Sequence, residues 1–263
     1  MIWLNDELVD ENSIDYRDRG FTLGDGIFET ILILKGKACF LEEHLCRLRQ
    51  SALWIGIKMH PFLDEGIAAL LAREKIETGV LRITLTRGIT SRGLWPQEDN
   101  NTLLIALQPY RMEEGPVSVK IAQECRFSKS ILSRIKSMNY LPQIMAQREA
   151  VLAGADEALM RNEEGNIASG ARANFFASIR GTLITPPLAD GALAGVTRQK
   201  IMELAEEAGM EVKERSIREW DLEEASEAFL TNSLFLVRPI SNIGSGTPEI
   251  SLNLKKALFD QLG

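Results

Sequence analysis

One lysine, Lys136, stands in the run Ser133-Arg134-Ile135-Lys136-Ser137-Met138-Asn139-Tyr140-Leu141-Pro142, among small and polar residues and just ahead of a helix-like stretch at 143–152. A lysine withdrawn from water in such a setting can shed its proton and add to a carbonyl as a Schiff base. Read by itself it is equally a solvated surface charge. Gly195-Val196-Thr197-Arg198 carries complementary chemistry. A glycine followed by a helix start leaves backbone N–H groups without partners, and the helix dipole favours an anion beside them. Thr197 also reads as a simple N-cap. Arg47, within His44-Leu45-Cys46-Arg47-Leu48, has the planar fork that suits a phosphate, although the position reads equally as a surface arginine.

These side chains need a frame. Residues 1–9 read as a hairpin turning at Asn5-Asp6, and 26–34 with 37–40 as a second, turning at Lys35-Gly36. Helical spacing follows at 43–55, where Leu45, Leu48, Ala52 and Ile55 share a face, and again at 63–75. Strands at 80–86 and 102–108 flank a polar, glycine-containing loop at 87–101. Pro109, Glu113, Glu114, Gly115 and Pro116 mark a connection over 109–116. Beyond it, strands at 117–122 and 157–161 bracket the lysine segment and its helix. Strands at 173–179, 182–185, 211–215, 228–231 and 236–240 follow, with helices at 197–208 and 251–261. The order has no regular βαβ rhythm, so it predicts two α+β domains, 1–108 and 117–263, in preference to a doubly wound sheet.

A chain of 263 residues is long enough for two modest cores. With 45% hydrophobic and 25% charged residues it is neither disordered nor fibrous. A net charge of −7 argues against a nucleic-acid surface and leaves room for a local basic pocket. Cys39, Cys46 and Cys125 form no CxxC pair, and only His44 and His60 are there to join them, so no metal site is expected and a reducing compartment fits. Asp6 and Glu7 stand where a signal peptide would carry lysines, and no run reaches transmembrane length. The expectation is a soluble cytoplasmic protein with no membrane partner.

The lysine run, the block Asp18-Arg19-Gly20-Phe21-Thr22-Leu23-Gly24-Asp25-Gly26-Ile27-Phe28-Glu29-Thr30 and the Gly195-Val196-Thr197-Arg198 block together resemble the class IV aminotransferase family, the fold-type IV pyridoxal 5'-phosphate (PLP) enzymes, over residues 3–240. The resemblance implies an α+β, two-domain architecture like that of D-amino-acid aminotransferases. Each domain would have a β-sheet or barrel-like core with flanking helices, and residues 117–263 would form the PLP-binding domain. Lys136 would hold PLP covalently and later shuttle protons. Arg47 would grip the phosphate, Val196 and Thr197 would form a second wall of the cup, and Asn232 and Ser233 of the run Leu230-Thr231-Asn232-Ser233-Leu234-Phe235 a third. His44 would position the Arg47 helix, and Tyr140 would meet the cofactor's phenolic oxygen. By themselves Asn232-Ser233 read as a polar turn and Tyr140 as a packing residue with a wet hydroxyl. The family is usually homodimeric and acts on small-molecule amines.

One departure stands out. The family usually carries a glutamate in an element of the form G-x-[IV]-[TS]-E-x-x-x-[SA]-N-[LVI]-F, where the acid keeps the cofactor's pyridine nitrogen protonated. Here the element is Gly165-Asn166-Ile167-Ala168-Ser169-Gly170-Ala171-Arg172-Ala173-Asn174-Phe175-Phe176, with Ser169 at the acid's place. Glu163 and Glu164 belong to the preceding turn and are expected to point elsewhere. A serine hydroxyl can bond a neutral pyridine nitrogen but cannot neutralise a pyridinium, so the cofactor becomes a weaker electron sink. Elimination, which expels a leaving group at once, tolerates this better than transamination.

The loop Thr86-Arg87-Gly88-Ile89-Thr90-Ser91-Arg92-Gly93-Leu94-Trp95-Pro96 resembles the R-G-x-x-x-R-G-[YF] loop of the family's aminodeoxychorismate lyases. Leu94 and Phe28 stand where D-amino-acid aminotransferases carry a polar histidine and tyrosine for the substrate carboxylate. The resemblance therefore implies a lyase that makes 4-aminobenzoate and pyruvate from 4-amino-4-deoxychorismate, with Phe28 and Arg92 at the substrate and Arg87 structural. Its alternatives are an aminotransferase of D-alanine or branched-chain amino acids, and a PLP- or metabolite-binding protein without turnover. Both arginines read equally as solvated loop charges.

Overall fold

A computed structural model describes residues 1–10, 14–95 and 100–262. Pro96 and the 97–99 stretch of the 87–101 loop lie outside the described residues. The chain divides into two compact units, Met1–Arg111 with Ile135–Asn139, and Met112–Arg134 with Tyr140–Gly263.

The first unit contains β1 (Ile2–Leu4), β2 (Glu7–Val9), α1 (Arg19–Leu23), β3 (Gly26–Leu34), β4 (Lys37–Ala38), α2 (Leu41–Ile55), α3 (Leu63–Arg73), β5 (Thr78–Thr86) and β6 (Thr102–Pro109). The strands form one sheet in the order β2-β1-β6-β5-β3-β4, antiparallel throughout. Alternation decides its faces. Ile27, Glu29, Ile31 and Ile33 of β3 lie in register with Leu85, Ile83, Leu81 and Gly79 of β5. The apolar members of this face join Leu45, Leu48 and Ala52 of α2 and Leu63, Ile67 and Leu70 of α3 in one core. Glu29 is therefore a carboxylate set into an apolar face. The opposite face carries Phe28 and Thr30 across from Thr84 and Arg82. Helix α2 starts with Glu42 and Glu43 in its first turn, complementing the dipole, and ends on Gly56 at φ +66.

The second unit contains β7 (Val119–Arg126), α4 (Ile131–Arg134), α5 (Leu141–Leu152), β8 (Glu157–Asn162), β9 (Ile167–Gly170), β10 (Asn174–Ile179), β11 (Thr182–Thr185), α6 (Val196–Glu207), β12 (Val212–Glu214), β13 (Ala225–Asn232), β14 (Leu236–Pro239) and α7 (Glu249–Leu262). They build two sheets, β12-β11-β10-β13-β14 and β7-β8-β9. β10 is buried along its whole length, and Phe176 stacks on Phe229 with ring centroids 5.1 Å apart. Ala146 and Ala150 of α5 meet Ala122 of β7 and Ala158 of β8, small side chains that let a helix lie close to a sheet.

The α+β expectation holds. β9 and the short helices α1 and α4 go beyond the expected elements. Ile-Ala-Ser-Gly has weak strand propensity, and β9 exists because β8 supplies its ladder, Met160 opposite Ser169. Among the described residues no helix is long and apolar enough to cross a membrane.

Candidate active site

In the first unit the lysine segment runs along the start of β3. Phe28 N donates to Lys136 O at 2.9 Å, Met138 N donates to Gly26 O at 3.0 Å, and Asn139 Nδ2 donates to Gly24 O at 2.9 Å. Gly24, at φ +67, ends α1 in the left-handed region and turns the chain into the strand. Lys136 is thus backbone-anchored on the face opposite the core. Its Nζ lies 4.4 Å from the centroid of the Phe28 ring. The guanidinium of Arg82 lies over the same ring at 3.9 Å. The Lys136 amine and the Arg82 guanidinium thus share one aromatic face.

Beneath that strand, Arg47 Nε donates to Glu29 Oε1 at 2.8 Å and Nη2 donates to Oε2 at 2.6 Å, while His44 Nδ1 lies 2.7 Å from Oε2. Burial alone would raise the Glu29 carboxyl, but Arg47 and then His44 outweigh it and hold the group at about 2. Arg47 and His44 are three apart on α2 and share a face. This fixes Arg47 on one edge of its guanidinium.

Asp25 organises the neighbouring corner. It accepts from Arg19 Nε and Arg87 Nε, both at 2.8 Å. Burial raises its carboxyl, and the bonds from Arg87 and Arg19 bring it below the ordinary carboxylate value. Arg87 also donates to Ile55 O and Gly56 O, closing the C-terminus of α2. Arg19 holds the backbone of the following loop at Gly93 O and Leu94 O. Arg92, on that loop, is exposed, as are Leu94 and Trp95.

In the second unit three hydroxyls are buried with no hydrogen-bond partner: Ser169 Oγ on β9, Thr197 Oγ1 on α6 and Thr231 Oγ1 on β13. An unpaired buried hydroxyl costs roughly 1–3 kcal/mol, so three in one unit point to a ligand that satisfies them. Gly195, not Thr197, is the N-cap of α6, and no side chain caps that end. Val196 and Thr197 are its first two residues and both are buried. Asn232 Oδ1 accepts from Leu234 N and Phe235 N, each at 2.9 Å, and its Nδ2 donates to Arg172 O. Its side chain therefore builds the 232–235 turn, in which Ser233 is half-buried. Tyr140 is the half-buried N-cap residue of α5. Of the acids near Ser169 in sequence, Glu164 is exposed, Glu163 accepts from Ser128 N and Oγ, and Glu157 accepts from Arg172 N and Nε.

The profile of the amino-transferase class IV family matches residues 26–243. The chain belongs to the class IV aminotransferases. Among its relatives is the D-alanine aminotransferase of Bacillus licheniformis, 31% identical over 96% of this chain and 93% of that protein. Among solved structures it is similar to 4-amino-4-deoxychorismate lyase from Pseudomonas aeruginosa, with TM-score 0.88, 28% identity, and coverage of 100% of this chain and 99% of that one. A branched-chain aminotransferase from Thermoproteus uzoniensis matches with TM-score 0.90 and 26% identity over 99% and 95%.

Class IV aminotransferases are PLP enzymes, and the residues present fit that cofactor. The first unit offers the Lys136 amine, and the second offers the uncapped N-terminus of α6 and three buried hydroxyls without partners. Three side chains go beyond the sequence expectation: Glu29 through its grip on Arg47, Thr231 through its unpaired hydroxyl, and Arg82 through the ring it shares with Lys136. The signal for Arg82 was a cation in the middle of Leu81-Arg82-Ile83-Thr84-Leu85, which puts it on the face away from the core.

Proposed function

We propose that this class IV aminotransferase family member is a PLP-dependent lyase converting 4-amino-4-deoxychorismate to 4-aminobenzoate and pyruvate, a step of folate biosynthesis. The observation that carries the reading is Ser169, a buried neutral hydroxyl where the family usually has an acid, with Glu163 and Glu157 bonded to Ser128 and Arg172 and Glu164 exposed. PLP supplies, when bound, an electron sink for charge developing beside the substrate nitrogen. A hydroxyl leaves that sink weak, which favours a reaction whose electrons leave at once with a departing group.

Lys136 carries the proton: its amine takes the one on C4 of the ring, and the electrons released expel enolpyruvate from the neighbouring carbon. Aromatisation makes the step downhill. Arg47, Val196, Thr197 and the Asn232–Ser233 turn hold the phosphate, and Tyr140 orients the phenolic oxygen. Phe28 shapes the substrate's place, and Arg92 takes a substrate carboxylate, with Arg82 as a second cation beside the lysine. The working form is a cytoplasmic homodimer.

Purified protein with added PLP and 4-amino-4-deoxychorismate is expected to release 4-aminobenzoate, and Lys136→Ala to release none. Absence of product from the active-site-loaded protein overturns the lyase reading. The second reading, an aminotransferase of D-alanine or branched-chain amino acids, is favoured by the 31% identity to D-alanine aminotransferase. Transfer of an amino group from either donor to a 2-oxo acid, with no 4-aminobenzoate, would establish it.

A further inference from the structure

Gly195 has φ −73 and ψ 133, a conformation open to any residue, so its identity needs a cause other than the backbone. The cause is space. A Cβ at this position would overlap Asn174 Oδ1, and would also crowd Arg198 Cβ at 3.2 Å. Asn174, the first residue of β10 and 8% exposed, donates through Nδ2 to Leu193 O at 2.9 Å. One amide therefore grips the approach to α6 at Leu193 and packs against the helix N-cap at Gly195.

The approach is held at a second point. Arg126 Nε donates to Gly191 O at 2.5 Å, and Gly191 itself sits at φ +94. Residues 191–195 thus leave a left-handed glycine under one clamp and enter α6 under another. Asn174 lies opposite Thr231 in the β10–β13 ladder, so the residue that holds the approach belongs to the same strand pair as one orphaned hydroxyl. A second, Thr197 Oγ1, is on the helix that the approach delivers, in a side chain only 2% exposed.

We propose that Asn174 is a positioning residue for anion binding at the N-terminus of α6, fixing the direction of its first N–H groups and of Thr197 through the Leu193 carbonyl and the Gly195 contact. This rests on the reading of that helix end as the phosphate wall of the PLP site. Asn174 need not touch the ligand. Its amide converts a flexible glycine-containing approach into a fixed one, and a hydrogen-bond cradle is worth most when its donors are already aimed.

The test separates the phosphate from the rest of the cofactor. The full chain, freed of cofactor, is titrated with PLP and with pyridoxal, which lacks the phosphate, following quenching of tryptophan fluorescence. The native protein is expected to prefer PLP by at least about 100-fold, the scale of two charge-assisted hydrogen bonds. In Asn174→Ala the PLP affinity is expected to fall about tenfold, with pyridoxal affinity unchanged, as for loss of one aimed donor. Asn174→Ser, which keeps a small polar side chain, serves the same comparison if the alanine variant folds poorly. Gly195→Ala is expected to weaken PLP binding in the native background and to weaken it less in the Asn174→Ala background, where the overlapping amide is gone and only the Arg198 Cβ contact remains.

Equal losses for both ligands, or no loss of PLP affinity, would overturn the positioning role and leave the phosphate reading intact. A native protein that binds the two ligands equally would overturn the phosphate reading itself.

Discussion

Glu29 is the residue on which the electrostatics of the first unit turn. Its carboxyl is held at about 2 against an ordinary 4.5, in a side chain 1% exposed. A carboxylate depressed by folding stabilises fully above its unfolded value and loses that contribution as pH falls toward the folded one. The window is therefore about 4.5 down to about 2. Glu29→Gln is expected to cost roughly 3 kcal/mol at neutral pH. The difference from the native protein should shrink across that acid window in urea melts, and a constant difference would contradict the ion-pair account. The same side chain shows how far a sequence carries. Arg47 is visible in its H-x-x-R-L setting, but Glu29 is not. Its contact depends on β3 turning odd-numbered residues toward α2, a three-dimensional fact that single-residue reading does not contain.

At the scale of elements, the strongly periodic pieces were legible and the short ones were not. Helix α2 and strands β3, β5 and β6 carry enough apolar repeats to declare their period, whereas α1, α4 and β9 are held by caps and partners. Asp18 accepts from Gly20 N and from the hydroxyls of Thr86 and Thr102, so α1 begins where a distant strand pair can be stitched to it. Close approach also governs α3. A Cβ at Gly66 would lie 2.6 Å from Trp3 Cδ1, inside the space the indole fills. Gly66→Ala gains helix propensity and still is expected to lose about 1–3 kcal/mol through overpacking. Pairing it with Trp3→Phe should recover part of that loss in thermal melts. An unaltered melting temperature for Gly66→Ala alone would refute the tight contact.

At the scale of the whole molecule, α5 presents Leu141, Ile144, Met145, Val151 and Leu152 as exposed apolar residues, while Ala146 and Ala150 face the sheet. An exposed apolar row on a helix is the kind of surface that a proposed homodimer covers. Ile144→Glu combined with Val151→Glu is expected to shift the proposed dimer to monomer in size-exclusion chromatography with light scattering. A dimer unchanged by both charges would move the interface elsewhere. The lysine segment has a further consequence, for the order in which this protein comes into being. Ile135 is part of the first unit's core, yet β7 and α4 of the second unit precede it in the chain. During vectorial synthesis the first sheet can pair as soon as β6 emerges, but its core closes only after residues 135–139 have left the ribosome. A chain cut short at residue 111 would hold every strand of that sheet and still lack Ile135 from its core.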